Sequence, residues 1–179
     1  DRGLDLGNYG LSEACEVLSD INYYRLRGYW MTLEEGGRFR DGTTLRDVLD
    51  ILKFDEGYRD VVWRMIEPIE IKVRTAFAYY LSHAYGPKAL DDASHFRSQD
   101  FYESSSREVA RAVKRSLHDR VPCAVHNIEK YGELPIWAEV EILSFGTISK
   151  LYGNLVDRDV SKAISGEFHQ KPHYFKSWL

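Results

Sequence analysis

The longest patterned stretch of the chain runs from Phe54 to Gly86, and its apolar side chains recur at helical spacing. At about 100° per residue, one face of this stretch gathers a broad apolar stripe centred on Val73. The sequence therefore predicts one long amphipathic helix that organises the core, with a kink near Pro68 and an end at Gly86-Pro87. The members of the stripe besides Val73 are Val62, Ile66, Ile69, Ala76, Phe77 and Tyr80, with Trp63 and Leu81 at its edge.

Two charged residues accompany this stripe. Glu70 lies at its margin, and Arg74 follows one helical turn later, in the favourable order of acid before base. A buried carboxylate without a partner costs several kcal/mol, so we expect Arg74 to pair with Glu70.

Shorter helical patterns lie on either side. They predict helices at about 11–21, 45–53, 105–120, 125–131 and 135–155, with a break between the second and the long helix near 55–57. The glycine-rich segment Glu34 to Gly42 is the one place where a short hairpin fits. The predicted fold is an all-α bundle of about six to eight helices in one domain over residues 1–179.

The helix predicted after Pro135 carries a second buried acid. Trp137, Val140 and Ile148 share its inner face, Glu141 lies among them, and Glu139 points away. We expect Glu141 to be half-buried and to need a cationic partner. Arg25 and Arg74 are both candidates, so four residues are predicted as structural buried polar groups: Arg25, Glu70, Arg74 and Glu141.

The segment Tyr23–Trp30 combines four aromatic residues, two arginines and a glycine without a clean period. One interpretation is an aromatic and arginine cluster that contacts RNA. The other is a structural cluster packed on the core, in which Arg25 pairs with a buried acid.

The helix at 105–120 has two different faces. Val109, Ala110, Val113 and Leu117 are predicted to face inward, and the opposite side carries a basic stripe. Such a stripe suits phosphate contacts with RNA, although a solvated helix face is the simpler interpretation. Arg111 and His118 also form a weak candidate catalytic pair on this face. The stripe consists of Arg107, Arg111, Lys114, Arg115 and His118.

Composition limits the classes of protein that remain. The net charge of −4 argues against a chain coated in nucleic acid, but it permits a local basic patch. Two cysteines without a CxxC spacing favour a reducing cytoplasm, and no apolar run is long enough for a membrane span. HExxH, phosphate-loop and GxSxG motifs are absent from the sequence, so we expect neither a metal nor a cofactor.

Three segments together resemble the Abi-like (abortive infection) family of prokaryotic proteins. They are INYYRLRGYW at 21–30, FDEGYRDVVWRMIEPIEIKVRTAFAYYLSHAYG at 54–86 and YGELPIWAEVEILSFGTISKLY at 131–152. The resemblance follows the family's order and spans nearly the whole chain. It implies a role in phage defence, as an abortive-infection or toxin-like protein.

The Abi-like family is similar to the HEPN superfamily of all-helical proteins, many of which are metal-independent ribonucleases that act as dimers. The resemblance therefore implies RNA as the partner, a homodimer, and an antitoxin or regulatory RNA as a further partner. In such proteins an Arg-Asn…His motif follows a segment similar to PHYFKSWL at 172–179. Catalytic residues are thus expected beyond Leu179, in a part of the protein that this chain lacks. The alternative is a non-catalytic interaction module that binds RNA or a partner protein.

Overall fold

A computed structural model describes residues 2–179 and confirms the all-α class, with 71% of the chain helical. Within this range there are nine α-helices, one more than the upper bound expected from the sequence, together with one small hairpin and two short 3-10 turns. The helices are α1 Leu11–Asp20, α2 Tyr23–Trp30, α3 Leu45–Tyr85, α4 Gln99–His118, α5 Pro122–Tyr131, α6 Ile136–Ile142, α7 Phe145–Gly153, α8 Arg158–Gly166 and α9 Pro172–Trp178.

The chain groups into two compact units, one formed by the residues up to Ile66 and the other by Glu67–Leu179. Helix α3 contributes its first half to one unit and its second half to the other. Each unit has its own cluster of buried apolar side chains.

The core of the first unit is small. Leu26 and Trp30 of α2 pack with Phe39 and with Val48 and Leu52 from the first turns of α3. The aromatic rings of Trp30 and Phe39 meet edge to face at 5.7 Å. These contacts explain why the Tyr23–Trp30 segment, whose sequence lacks a clean period, is helical.

The predicted hairpin is present and is very short. Strand β1, Glu34–Glu35, pairs with the antiparallel strand β2, Arg38–Phe39. Gly36 and Gly37 form the two-residue connection, with φ of 59° and 80°. A two-residue turn with positive φ at both positions matches the twist of the flanking strands, which is the reason for glycine at both.

Helix α3 is continuous over 41 residues, so the predicted break near 55–57 is wrong. A glycine at position 57 costs an exposed helix only about 1 kcal/mol, which its neighbours offset. Tyr29 donates a hydrogen bond to Asp55 at 2.6 Å, which fixes the helix at this level. The helix also continues through Pro68, whose missing N–H leaves the carbonyl of Arg64 without its intrahelical donor.

Only the second half of α3 has the predicted core-facing stripe. Val73, Phe77 and Leu81 are fully buried, whereas Ile66 and Trp63 are exposed at 42% and 69%. The stripe thus begins to enter the core of the second unit at Ile69. Around it pack Ile136, Ile148, Ile164 and Phe175, all buried and contributed by α6, α7, α8 and α9.

The predicted helix 135–155 is two helices, and this changes which acid is buried. Leu143 is extended, and the Ser144 side chain caps α7 by accepting a hydrogen bond from the Thr147 N–H at 3.1 Å. Helix α6 therefore takes its own register, set by the buried Ile136 and Val140.

As a result Glu139 is buried, whereas Glu141 is exposed and Trp137 is 54% exposed. The prediction of a half-buried Glu141 is wrong. The prediction extended the helical period of Ile148 and Leu151 back to Glu139 and Glu141. Because Leu143 is extended, that period does not apply to α6.

Candidate nucleic-acid interface

Helix α4 presents a basic face to solvent. Its buried positions are the small residues Ser105, Ala112 and Ser116, and the helix packs against α5, α6 and α7. At about 100° per residue these positions lie opposite the centre of the predicted basic stripe. All members of the stripe are exposed, namely Arg107, Arg111, Lys114, Arg115 and His118.

One acid that neighbours this stripe on α4 is engaged elsewhere. Glu108 accepts a hydrogen bond from Lys150 Nζ at 3.0 Å and another from the Thr147 hydroxyl at 3.0 Å. The Lys150 bond is the largest cause that holds the pKa of Glu108 below its usual value. Within residues 2–179, none of the five stripe residues forms an ion pair. The stripe therefore keeps its positive charge for an external anion.

Arg111 and His118 lie on this same exposed face, seven residues and thus about 10 Å apart along the axis. At that separation, two side chains on one helix can contact neighbouring phosphates of a nucleic acid. As an Arg–His catalytic pair they stay a prediction.

The residues of α4 that face the core are not the ones predicted, because the helix is rotated about its axis relative to the prediction. Val109 packs against the core, but Ala110, Val113 and Leu117 line an open groove together with Ser106. The small residues on the buried side allow α4 to approach α7 closely, and this turns the larger apolar residues partly outwards.

The groove holds about 610 Å³ and lies entirely within the second unit. Its walls come from α4, from the segment after α3, and from α6 and α7. The lining residues are Leu90, Asp91, Tyr102, Ser106, Val109, Ala110, Val113, Lys114, Leu117, Glu139 and Leu151.

Glu139 is the unusual member of this lining. It is 7% exposed, and burial together with the nearby charge of Asp91 raises the pKa of its carboxyl to about 7. No group within the described range donates a hydrogen bond to its carboxylate, yet its oxygens are not sealed from solvent. A buried carboxylate normally has such donors. The sequence analysis missed this residue because it placed Glu139 on the outside.

A second basic site was also missed. It is a pocket of about 400 Å³ lined by Arg97, which follows the 3-10 turn Ala93–His95, and by residues of α7, α8 and α9. Its cations come from separate elements, so no single helical period reveals them. They are Arg97, Arg158, Lys162 and Lys176, and His173 lines the pocket beside them.

The predicted buried polar residues have different outcomes. Arg74 pairs with Glu70 as expected and is 14% exposed. Arg25 is half exposed and pairs across the surface with Glu56 at 3.4 Å, so its prediction as a buried group is wrong. Glu141 therefore obtains neither of the partners proposed for it, because Arg74 is engaged with Glu70 and with backbone carbonyls.

The described part of the chain offers no metal site and no membrane-spanning helix. Over residues 2–179, no three His, Cys, Asp or Glu side chains come together in a way that could hold a metal ion. None of the described helices combines the length and the apolar character needed to cross a membrane.

The fold and the site thus define an all-α protein with a free basic helix face. The sequence profile of the Abi-like protein family matches residues 16–179, and the chain belongs to this family. The resemblance seen in the sequence is thereby confirmed, and the family associates the chain with abortive infection, a form of phage defence. No curated protein and no solved structure matches the chain significantly.

Proposed function

We propose that this protein is an RNA-binding effector of phage defence, and that the basic stripe of α4 contacts the phosphates of the RNA. One observation carries the proposal: five exposed cationic or ionisable side chains lie on one helix face without an acidic partner. The chain as a whole has a net charge of −4, so this helix face is much more basic than the rest of the protein. Phosphate contacts of this kind supply most of the affinity of sequence-independent nucleic-acid binding.

The second basic pocket supports the same function. Arg97 and Arg158 line it without an ion pair within residues 2–179, and Lys176 donates a hydrogen bond to the carbonyl of Gly153 at 2.9 Å. A concave site with several cations suits a phosphate group better than a flat surface does.

The test is a gel-shift titration with single-stranded RNA. Reversing Arg107, Arg111 and Arg115 to glutamate should abolish retention of the RNA, while circular dichroism shows unchanged helix content. The matched control reverses Arg27, Lys53 and Arg64, which are exposed, lie outside α4 and form no ion pair in the described range. The control has the same change in net charge and should retain binding. Equal binding by both triple variants would refute the role of the stripe.

We further propose that the protein cleaves RNA without a metal ion, as HEPN-like enzymes do. In that chemistry an arginine stabilises charge on the phosphate, and a histidine moves protons as the 2′-hydroxyl attacks the adjacent phosphorus. The family resemblance implies that these two residues lie after Leu179. Within the chain, Arg111 and His118 are the weak candidate pair.

A cleavage assay in excess EDTA separates these two locations. If the catalytic pair lies where the resemblance implies, the His118→Ala variant should cleave RNA as well as its parent does. Cleavage that persists in EDTA but disappears with His118→Ala would instead place the catalysis on α4.

A second candidate function, a protein interaction module, is favoured by the first half of α3. Phe54, Tyr58, Val61 and Met65 recur at helical spacing on one face, and each is exposed by 57% or more. A contiguous apolar face of this kind marks a protein contact more often than an ordinary surface. We propose a second copy of the chain as its occupant, which is the homodimer that the resemblance implies.

A further inference from the structure

The lining of the groove beside α4 combines apolar and charged side chains. Val109, Val113 and Leu117 are apolar, and Glu139 and Asp91 contribute carboxylates. Lys114, which belongs to the basic stripe as well, contributes an ammonium group. A ligand that fits must therefore offer a flat or apolar body, hydrogen-bond donors for the acids, and an anion for the lysine.

Glu139 decides which donors are required. Only 7% of the residue is exposed, its carboxylate oxygens reach the groove, and nothing within the described range donates a hydrogen bond to them. Two acceptor oxygens in such a place are best satisfied by two adjacent N–H groups on one rigid ligand. Such a ligand would offset the cost of keeping the charge buried.

Nucleotides combine these properties. A base supplies the flat body and the N–H donors, and its phosphate supplies the anion. Among the four bases of RNA, only guanine presents two neighbouring N–H donors, N1–H and N2–H, on its Watson–Crick edge. Adenine and cytosine present a donor beside an acceptor, and uracil presents one donor between two acceptors.

The wall that faces Glu139 is held in place. The hydroxyl of Tyr102 donates hydrogen bonds to the carbonyl oxygens of Leu90 and Asp91, at 3.2 and 2.8 Å. The Tyr102 ring stacks on the buried Phe96, with centroids 5.2 Å apart. The segment that carries Asp91 is thereby fixed against α4, so the groove is preformed rather than induced by a ligand.

We propose that this groove is a guanine-binding subsite, in which Glu139 accepts the N1–H and N2–H of the base and Lys114 contacts its phosphate. The inference rests on the proposed RNA binding, because Lys114 belongs both to the stripe and to the groove. It gives the protein a base preference that phosphate contacts alone cannot provide.

Two titrations at pH 8 test the proposal. The first measures binding of free guanosine monophosphate, with the adenosine and cytidine monophosphates for comparison. The second compares fluorescent single-stranded RNAs of equal length with and without guanine. The parent chain should prefer guanine by at least tenfold in both. Glu139→Gln should remove this preference, because the amide presents only one acceptor, and should leave binding of guanine-free RNA within about twofold.

Glu141→Gln is the matched control. Glu141 lies two residues further along the same helix and is exposed, so this variant should keep the parent's preference. Val113→Trp is a second variant, which places a bulky side chain in the groove and leaves the Glu139 carboxyl unchanged, and it should also abolish the preference. A circular dichroism melt shows that each variant is folded.

The outcomes separate the groove from the stripe. If the parent binds all RNAs equally well, or if Glu139→Gln and Val113→Trp both keep a guanine preference, the subsite is refuted while RNA binding stands. If no RNA binds but guanosine monophosphate binds and requires Glu139, the groove stands as a mononucleotide site and the proposed function fails.

Discussion

Arg74 Nη1 of α3 donates a hydrogen bond to the carbonyl oxygen of Leu143 at 2.7 Å. The same nitrogen also donates to the carbonyl of Val140, and Nη2 pairs with Glu70. Leu143 is the extended residue between α6 and α7, where the last carbonyls of α6 have no intrahelical donor. One guanidinium thus satisfies the end of α6 and ties it to α3. Since α6 carries Glu139, this contact also helps to position the groove.

Removal of this guanidinium should destabilise the protein strongly. Arg74→Ala leaves two carbonyls and a half-buried carboxylate without a donor, and we expect a loss of about 2–4 kcal/mol in the free energy of unfolding. Urea titration followed by circular dichroism measures it. Arg59→Ala is the control: this exposed arginine pairs with Asp55 at 3.0 Å, and we expect its loss to cost about 0.5 kcal/mol. Similar midpoints for the two variants would contradict the bracing role of Arg74.

Glu141 should be dispensable for stability. It is exposed and forms no ion pair within residues 2–179, so Glu141→Ala should change the unfolding free energy by no more than about 0.5 kcal/mol. A thermal melt suffices as the measurement. A decrease in Tm that corresponds to about 2 kcal/mol would restore the buried position that the sequence suggested.

Glu139 should make stability fall as the pH rises. Its pKa is about 7 in the folded protein, against a usual value of 4.5, so the folded state binds more protons than the unfolded state between these values. The free energy of unfolding therefore decreases across this window, by roughly 3 kcal/mol at most. Asp91, Lys114 and Tyr102 are the other titratable groups that line the groove, and the charge of Asp91 acts in the same direction.

The variant Glu139→Gln isolates this contribution. It should match the parent below pH 4.5 and exceed the parent's stability at pH 8. Urea midpoints at several pH values provide the comparison. A constant difference between the two proteins from pH 4 to pH 8 would mean that the carboxyl does not titrate in this range.

RNA binding should depend steeply on salt, and less so when a stripe residue is removed. For single strands, each phosphate contact contributes about −0.7 to the slope of log K against log salt concentration. Arg107→Ala should reduce the slope by about that amount and weaken binding equally for all sequences. Binding at several potassium chloride concentrations measures it. An unchanged slope would place the phosphate contacts elsewhere.

The apolar face of α3 should set the oligomeric state. Val61→Glu with Met65→Glu places two charges on the exposed face, and sedimentation analysis should show a monomer where the parent is a dimer. Lys53→Glu with Arg64→Glu is the control, because both positions lie roughly 80–100° from that face. A parent that sediments as a monomer at micromolar concentration would exclude the homodimer.

Much of the fold follows from local patterns. The glycines at 36 and 37 and the spacing of Val73, Phe77 and Leu81 each predict the structure that is observed. Each of these signals lies within a few residues of its effect. The predicted Glu70–Arg74 pair is of the same kind, since the two residues are one turn apart.

The candidate site was predicted less well, for a physical reason. The basic stripe is visible because its residues share one helix, whereas the cations of the second pocket belong to separate elements. Burial of Glu139 depends on the extended residue Leu143, which separates α6 from α7. The two helices therefore do not share one helical period. No periodicity within α6 alone, a helix of seven residues, fixes that register.

Helix α4 divides its two tasks between opposite sides. Ser105, Ala112 and Ser116 are small and buried on its inner side, whereas Arg107, Arg111 and Arg115 on the far side are exposed. Substitutions on the outer side can therefore alter which ligand is held without a penalty in folding. The proposed RNA-binding surface is therefore evolvable, because it can change while the scaffold stays constant.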